Sequence, residues 1–201
     1  MHHTGTMTTG LVDGRPEAGP PVDSSTMDVE PGFFRKVMGH FVTGVTVVTT
    51  LEDDRPWGIT VNALSSVSLE PALIVVALDR RRTVTPKLRA AGRYAVNVLA
   101  EGQEGLADCF AGAKFTPGRD EFCGAAWTAG PTGLPLLEGV IAWLECTVVD
   151  TISAGDHDLF IGSVDALDTP DAHSRALLYY RRRYLRIEQA ESLVPQGYQE
   201  G

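Results

Sequence analysis

Three short stretches of the chain carry the side chains from which chemistry could be assembled. Gly155-Asp156-His157-Asp158 sets an imidazole between two carboxylates. Neighbouring residues of a strand point to opposite faces, however, so these three groups make an awkward metal centre, and no metal is expected. On its residues alone, His157 reads as a histidine at a surface turn. The second stretch runs from Gly58 to Pro71 and gathers Asn62, Ser65, Ser66 and Ser68 with no bulky charge before Glu70. Such a surface lets a flat ring or a phosphorylated chain come close to the main chain. It also reads simply as a strand running into a serine-rich turn. The third, Arg80-Arg81-Arg82-Thr83 with Thr85 and Lys87, offers cationic and hydroxyl donors suited to a phosphate, or a solvated run of charge.

Other chemistries leave no trace. No GxGxxG follows a strand and no GxxxxGK[ST] occurs, so a nucleotide would not be held by either of those phosphate cradles. There is no GxSxG elbow and no written Ser-His-Asp nucleophile. The three cysteines, Cys109, Cys123 and Cys146, form no CxxC pair, which predicts reduced thiols rather than a zinc site or a disulfide framework.

The elements that must position these groups are mostly strands. Val45 to Thr50 is a β-branched run. Gly58 onward alternates apolar and small polar residues, and Ala72 to Leu78 is apolar throughout, as in a strand covered on both faces. Tyr94 to Leu99, Leu137 to Ile152 and Asp158 to Leu167 continue the pattern, the last two joined by a hairpin turn at Ala154-Gly155-Asp156-His157. Helical spacing appears at Phe33, Phe34, Val37, Met38 and Phe41, closing near Gly39, with the aromatic face expected in the core. It appears again from Thr83 to Ala91 before Gly92, and from Glu101 to Ala111. Residues 112–135 form a long irregular excursion, and Leu177 to Ile187 alternates apolar with basic residues.

With no βαβ alternation and no internal repeat, the pattern predicts an antiparallel barrel or sandwich. A length of 201 residues with 43% hydrophobic and 21% charged side chains suits one domain with a sizeable core. Residues 1–27 read as a disordered extension, 28–190 as the folded domain and 191–201 as a loose tail. A formal charge of -9 argues against nucleic acid or an anionic membrane as partner. No segment approaches a membrane span and no signal peptide is written, so a cytoplasmic protein is expected.

Taken in order, Phe41 to Thr50, Gly58 to Pro71, Ala72 to Leu78, Tyr94 to Leu99 and Gly155-Asp156-His157 closely resemble the flavin reductase family of flavin-binding split barrels. The resemblance covers about residues 33 to 186. It implies a mainly β fold, an antiparallel Greek-key split β-barrel of about six strands with a few flanking short helices. It also implies reduction of FAD or FMN by hydride from NADH or NADPH, with the reduced flavin supplied to a separate flavin-dependent monooxygenase. By the same resemblance Val61, Asn62, Ala63 and Leu64 run along the isoalloxazine edge, with Thr46 and Val47 as companions on the neighbouring strand. Ser65, Ser66 and Ser68 would face the ribityl and phosphate portion, and Thr83 and Lys87 a phosphate. His157 would line the side where the nicotinamide stacks, acting by position, and Phe110 would border that side. Tyr180 and Tyr184 match a segment that approaches the site, sometimes from the neighbouring subunit, and a homodimer is implied. Ala63 departs from the family, which often has a larger residue there. The same barrel also hosts non-catalytic flavin- or haem-binding proteins that store, sense or carry electrons, and His157 is the residue that separates the two readings.

Overall fold

The computed structural model describes residues 29–112, 122–171 and 173–186. The predicted extension 1–27 and tail 191–201 lie outside these residues. In chain order the elements are α1 (Pro31–Met38), β1 (Thr43–Gly44), β2 (Thr46–Glu52), β3 (Arg55–Val61), β4 (Leu64–Leu69), β5 (Ala72–Asp79), α2 (Val84–Ala91), β6 (Arg93–Val98) and α3 (Glu104–Phe110). They continue with β7 (Trp127–Ala129), β8 (Pro135–Leu137), β9 (Ala142–Ala154), β10 (His157–Asp168), β11 (Leu178–Tyr180) and β12 (Arg183–Leu185).

Seven strands form one antiparallel sheet in the order β3-β2-β6-β9-β10-β5-β4, with β1-β11-β12 and β7-β8 as small separate sheets. The two edges of the large sheet, β3 and β4, are consecutive in sequence and joined only by Asn62 and Ala63. Three peptide units span at most about 11 Å, so the sheet has to curl until its edges nearly meet. The expected barrel results, with its split at this turn. The serines lie within the second of these strands, with a register shift between Ser66 and Ser68, rather than in a turn as the sequence suggested.

Strand β2 separates two cores. Val48 packs with Ile59, Val76, Tyr94 and Phe160, whereas Val47 packs with Leu99, Phe110, Phe122 and Leu177. The polar groups buried between them are paired, as burial requires. The Asn97 amide donates to Val47 O at 3.1 Å and to Thr49 Oγ1 at 3.1 Å, and its oxygen accepts Leu137 N at 2.8 Å. The Glu145 carboxylate, with no solvent exposure, receives Thr132 N at 2.9 Å and Leu134 N at 3.1 Å and so folds the β7–β8 connection onto the barrel.

Local signals hold where the chain makes its own turn. Gly92, in the left-handed region at φ 64°, closes α2, and Gly155 at φ 59° forms the β9–β10 hairpin. Among the described residues no helix is long and apolar enough to cross a membrane.

Three expectations are corrected. Strand β5 is not covered on both faces: Ile74, Val76 and Leu78 are buried, but Val75 and Ala77 face a cavity. Helix α1 is capped by the Glu30 carboxylate, which accepts Gly32 N and Phe33 N at 2.6 Å each. Yet its apolar side is not in the core, since Phe33, Phe34, Val37, Met38 and Phe41 are 50–70% exposed. The helix docks through its other side, where Gly39 O accepts Arg181 N at 2.8 Å. Finally, Cys109 and Cys123 form a disulfide across a Cα–Cα distance of 6.1 Å, which a separation of 14 residues does not announce. The fold creates it by seating Phe110 against Phe122, with ring centroids 5.2 Å apart.

Cys146 is free and buried, so thiol titration of the denatured, unreduced chain should find one reactive thiol, rising to three after reduction. Three thiols without reductant would contradict the pairing.

Candidate functional site

The split produces two cavities that meet at the β3–β4 turn. One, of about 220 Å³, is formed by Ile59 to Ala63, Ala77 to Asp79, Arg82, Ala111 and His157. The other, of about 460 Å³, is more apolar and is formed by Met38, Phe41, Thr43, Asn62 to Ser65, Val75, Ala77 and Leu159. Asn62, Ala63 and Ala77 belong to both. The turn is anchored on the β4 side by Ala77 N donating to Ala63 O at 3.0 Å, which carries the β4–β5 ladder one residue past Leu64. Two of the three shared residues carry only a methyl group, so planar groups could approach each other closely from the two sides.

The smaller cavity has a charged rim. His157 opens β10 opposite Asp79, the last residue of β5. Its Nδ1 lies 2.7 Å from Asp156 Oδ1. The hydrogen bond from His157 lowers the Asp156 carboxyl below its usual range. An ionised carboxylate only accepts, so Nδ1 carries the proton and Nε2 is left for a ligand. Arg81 grips Asp79 through Nε at 3.0 Å and Nη2 at 2.7 Å and reaches Asp156 at 4.0 Å. That side-chain grip is the main reason the Asp79 carboxyl sits far below the ordinary range. Asp158, pointing to the other face and 2% exposed, receives Arg89 Nη2 at 2.6 Å and Ser153 Oγ at 2.9 Å. Burial pushes its carboxyl up, but these donors outweigh that and hold it down. The hairpin carrying His157 is thereby pinned to α2.

Of the residues singled out from sequence, Val61, Asn62, Ala63, Leu64, Ser65 and His157 line the cavities. Thr46 is one layer beneath, its hydroxyl donating to Val61 O at 2.7 Å, and Val47 is wholly buried. Ser66, Ser68 and Thr83 line neither cavity. Lys87 is engaged by Glu52 and lies 3.9 Å over the Trp57 ring. Phe110 is core, packed so tightly on β3 that a Cβ at Gly58 would come 2.5 Å from its ring. Tyr184 donates to Asp108 Oδ1 at 3.0 Å, burial raising its hydroxyl pKa, while Tyr180 meets His40 edge to face at 6.3 Å.

The sequence reading missed Thr43 and Asp79 as cavity residues, named Arg82 only within a run suited to a phosphate, and placed Met38 and Phe41 on a helix face expected in the core. Thr43 is the informative one, because its Oγ1 is buried with no hydrogen-bond partner while the residue lines the larger cavity. A buried hydroxyl without a partner is costly, and a polar ligand atom would relieve it. Its only sequence signal was membership of the motif from Phe41 to Thr50.

Comparison with known proteins fits this geometry. The chain is 39% identical over 174 residues to an NADH-dependent flavin reductase of Rhodococcus sp, covering 85% of this chain and 94% of that one. It is 37% identical over 161 residues to the reductase subunit HsaB of a flavin-dependent monooxygenase from Mycobacterium tuberculosis, covering 80% and 84%. The structure of the Streptomyces globisporus NADH:FAD oxidoreductase SgcE6 in complex with NAD and FAD fragments superposes with a TM-score of 0.71 at 34% identity, covering 80% of this chain and 93% of that one. Residues 38–188 match the flavin reductase like domain, and the chain belongs to that family.

Proposed function

We propose that the protein is an NAD(P)H-dependent flavin reductase that takes FAD or FMN in the larger cavity, NADH or NADPH in the smaller one, and releases reduced flavin to a separate monooxygenase. The observation that carries this reading is the junction of an apolar and a polar cavity at Asn62, Ala63 and Ala77. A bound flavin supplies the hydride acceptor, and a nicotinamide laid against it supplies the hydride. The larger cavity fits a flavin, since it offers an apolar wall from Met38, Phe41, Val75 and Leu159 and the unpartnered hydroxyl of Thr43 for a polar ring atom. The relative SgcE6 has been solved in complex with NAD and FAD fragments.

The chain's own contribution is placement. Ala63 and Ala77 leave room at the junction, the Ala77 N to Ala63 O bond keeps the turn rigid, and Asp156 orients the His157 ring so that Nε2 can hold a carboxamide. Face-to-face placement of the two reactants lowers the barrier by removing translational and rotational search. No side chain is required to move a proton in the hydride step.

The working unit in this reading is a homodimer acting in the cytoplasm, where the nicotinamide reductant is held. The exposed face of α1, together with Val67 and the 87% exposed Leu69 on the free edge of β4, supports a second copy as cover. Light scattering on the purified protein should therefore return twice the chain mass of 21.6 kDa. A monomer at working concentration would remove the dimer from the account.

Anaerobic addition of NADH to protein with FAD or FMN should bleach the yellow flavin catalytically, and running each flavin with each nicotinamide nucleotide fixes the preferred pair. No bleaching with any pair would sink the proposal. His157→Ala should slow NADH turnover by up to about a hundredfold while leaving flavin binding within about twofold of the parent. Unchanged turnover would remove His157 from the nicotinamide site, and flavin binding without any turnover in the parent would point to the non-catalytic reading instead.

A further inference from the structure

On the side of α1 away from the flavin-side cavity, five basic residues surround a hollow of about 350 Å³. Arg35 and Lys36 come from the helix, His40 from just beyond it, and Arg181 and Arg182 from the β11–β12 turn, and the other described residues in the wall are Gly32 and Gly39. Among the described residues no acidic side chain lines it. None of Arg35, Lys36, Arg181 and Arg182 has a salt bridge among the described residues. Glu30, which senses Arg35, already spends both oxygens on the helix N-terminus. The Arg181 guanidinium instead lies 3.3 Å from a ring nitrogen of His40. Gathering like charges opposes Coulomb repulsion, and here it happens in a chain whose formal charge is -9.

A second observation points the same way. Arg181 and Arg182 both adopt left-handed backbone, at φ 48° and 64°, in a tight hairpin turn. Glycine or asparagine suits such positions, and two successive arginines carry a conformational cost that the side chains have to justify. The turn is held in this place by Arg181 N donating to Gly39 O at 2.8 Å.

We propose that this hollow binds a phosphate oxyanion, either free phosphate or the phosphate of a nucleotide. The arginine forks match the geometry of phosphate oxygens, and Lys36 adds a compact charge. The volume is in the range of small-ligand sites. An anion here would clamp α1 to the β11–β12 turn, and α1 carries Met38 into the neighbouring cavity. The site is separate from the one assigned to flavin and nicotinamide, so its test uses neither.

Calorimetric titration of the full chain with inorganic phosphate, at constant ionic strength set with chloride, should give saturable binding. Arg182→Gly removes one charge and suits the left-handed backbone, so the variant should melt no lower than the parent. Lys36→Ala removes a second charge from the opposite wall. Each should weaken phosphate binding by about tenfold or more. AMP binding more tightly than phosphate, by an amount that both variants lose, would identify a nucleotide as the source of the phosphate. AMP and phosphate binding alike would identify free phosphate. No phosphate binding above the chloride background, or affinity unchanged in both folded variants, overturns the proposal.

Discussion

Two residues hold the architecture together. Asn62 and Ala63 join strands that stand at opposite edges of a seven-stranded sheet, and so short a tether forces the sheet to roll. The two edges are not paired with each other in the sheet. The bond from Ala77 N to Ala63 O extends the β4–β5 ladder into the tether and holds it to one edge. A gap floored by main chain and small side chains is the necessary product, and each cavity opens on one side of that tether. The place where a ligand can sit and the place where the barrel fails to close are therefore the same place.

Around that gap the chain divides its tasks between dry packing and fixed charge. Below it, β2 feeds two hydrophobic cores at once, which is why both its faces are buried and why Asn97 and the threonines beside it are so fully paired. At its rim, acidic groups that would repel one another are kept ionised by Arg81 and Arg89, and Asp156 in turn fixes the histidine. The result is a rigid frame that performs no bond-making of its own, as befits a reaction whose electrons move between two bound rings.

Much of this was legible in the order of residues. The strand runs, the glycines closing α2 and the β9–β10 hairpin, and the series of motifs ending in Gly155-Asp156-His157 all express rules that act within a few residues. The same is true of Val61 to Ser65, whose place in the split follows from their position at the strand end. What misled was mostly a question of neighbours. Lys87 looked available for phosphate until Trp57 and Glu52 took it. Thr43 looked like any strand threonine and proved to be the buried hydroxyl without a partner.

The amino-acid order by itself determined the β-rich class, the turns and the family, because periodicity, glycine conformation and motif order are carried by near neighbours along the chain. Only the folded arrangement decided that Cys109 meets Cys123, that the aromatic side of α1 stays outside, and that Arg35, Lys36, Arg181 and Arg182 share one hollow. Those outcomes depend on segments far apart in sequence being brought together, and the closure of the barrel at a two-residue turn is what brings them there.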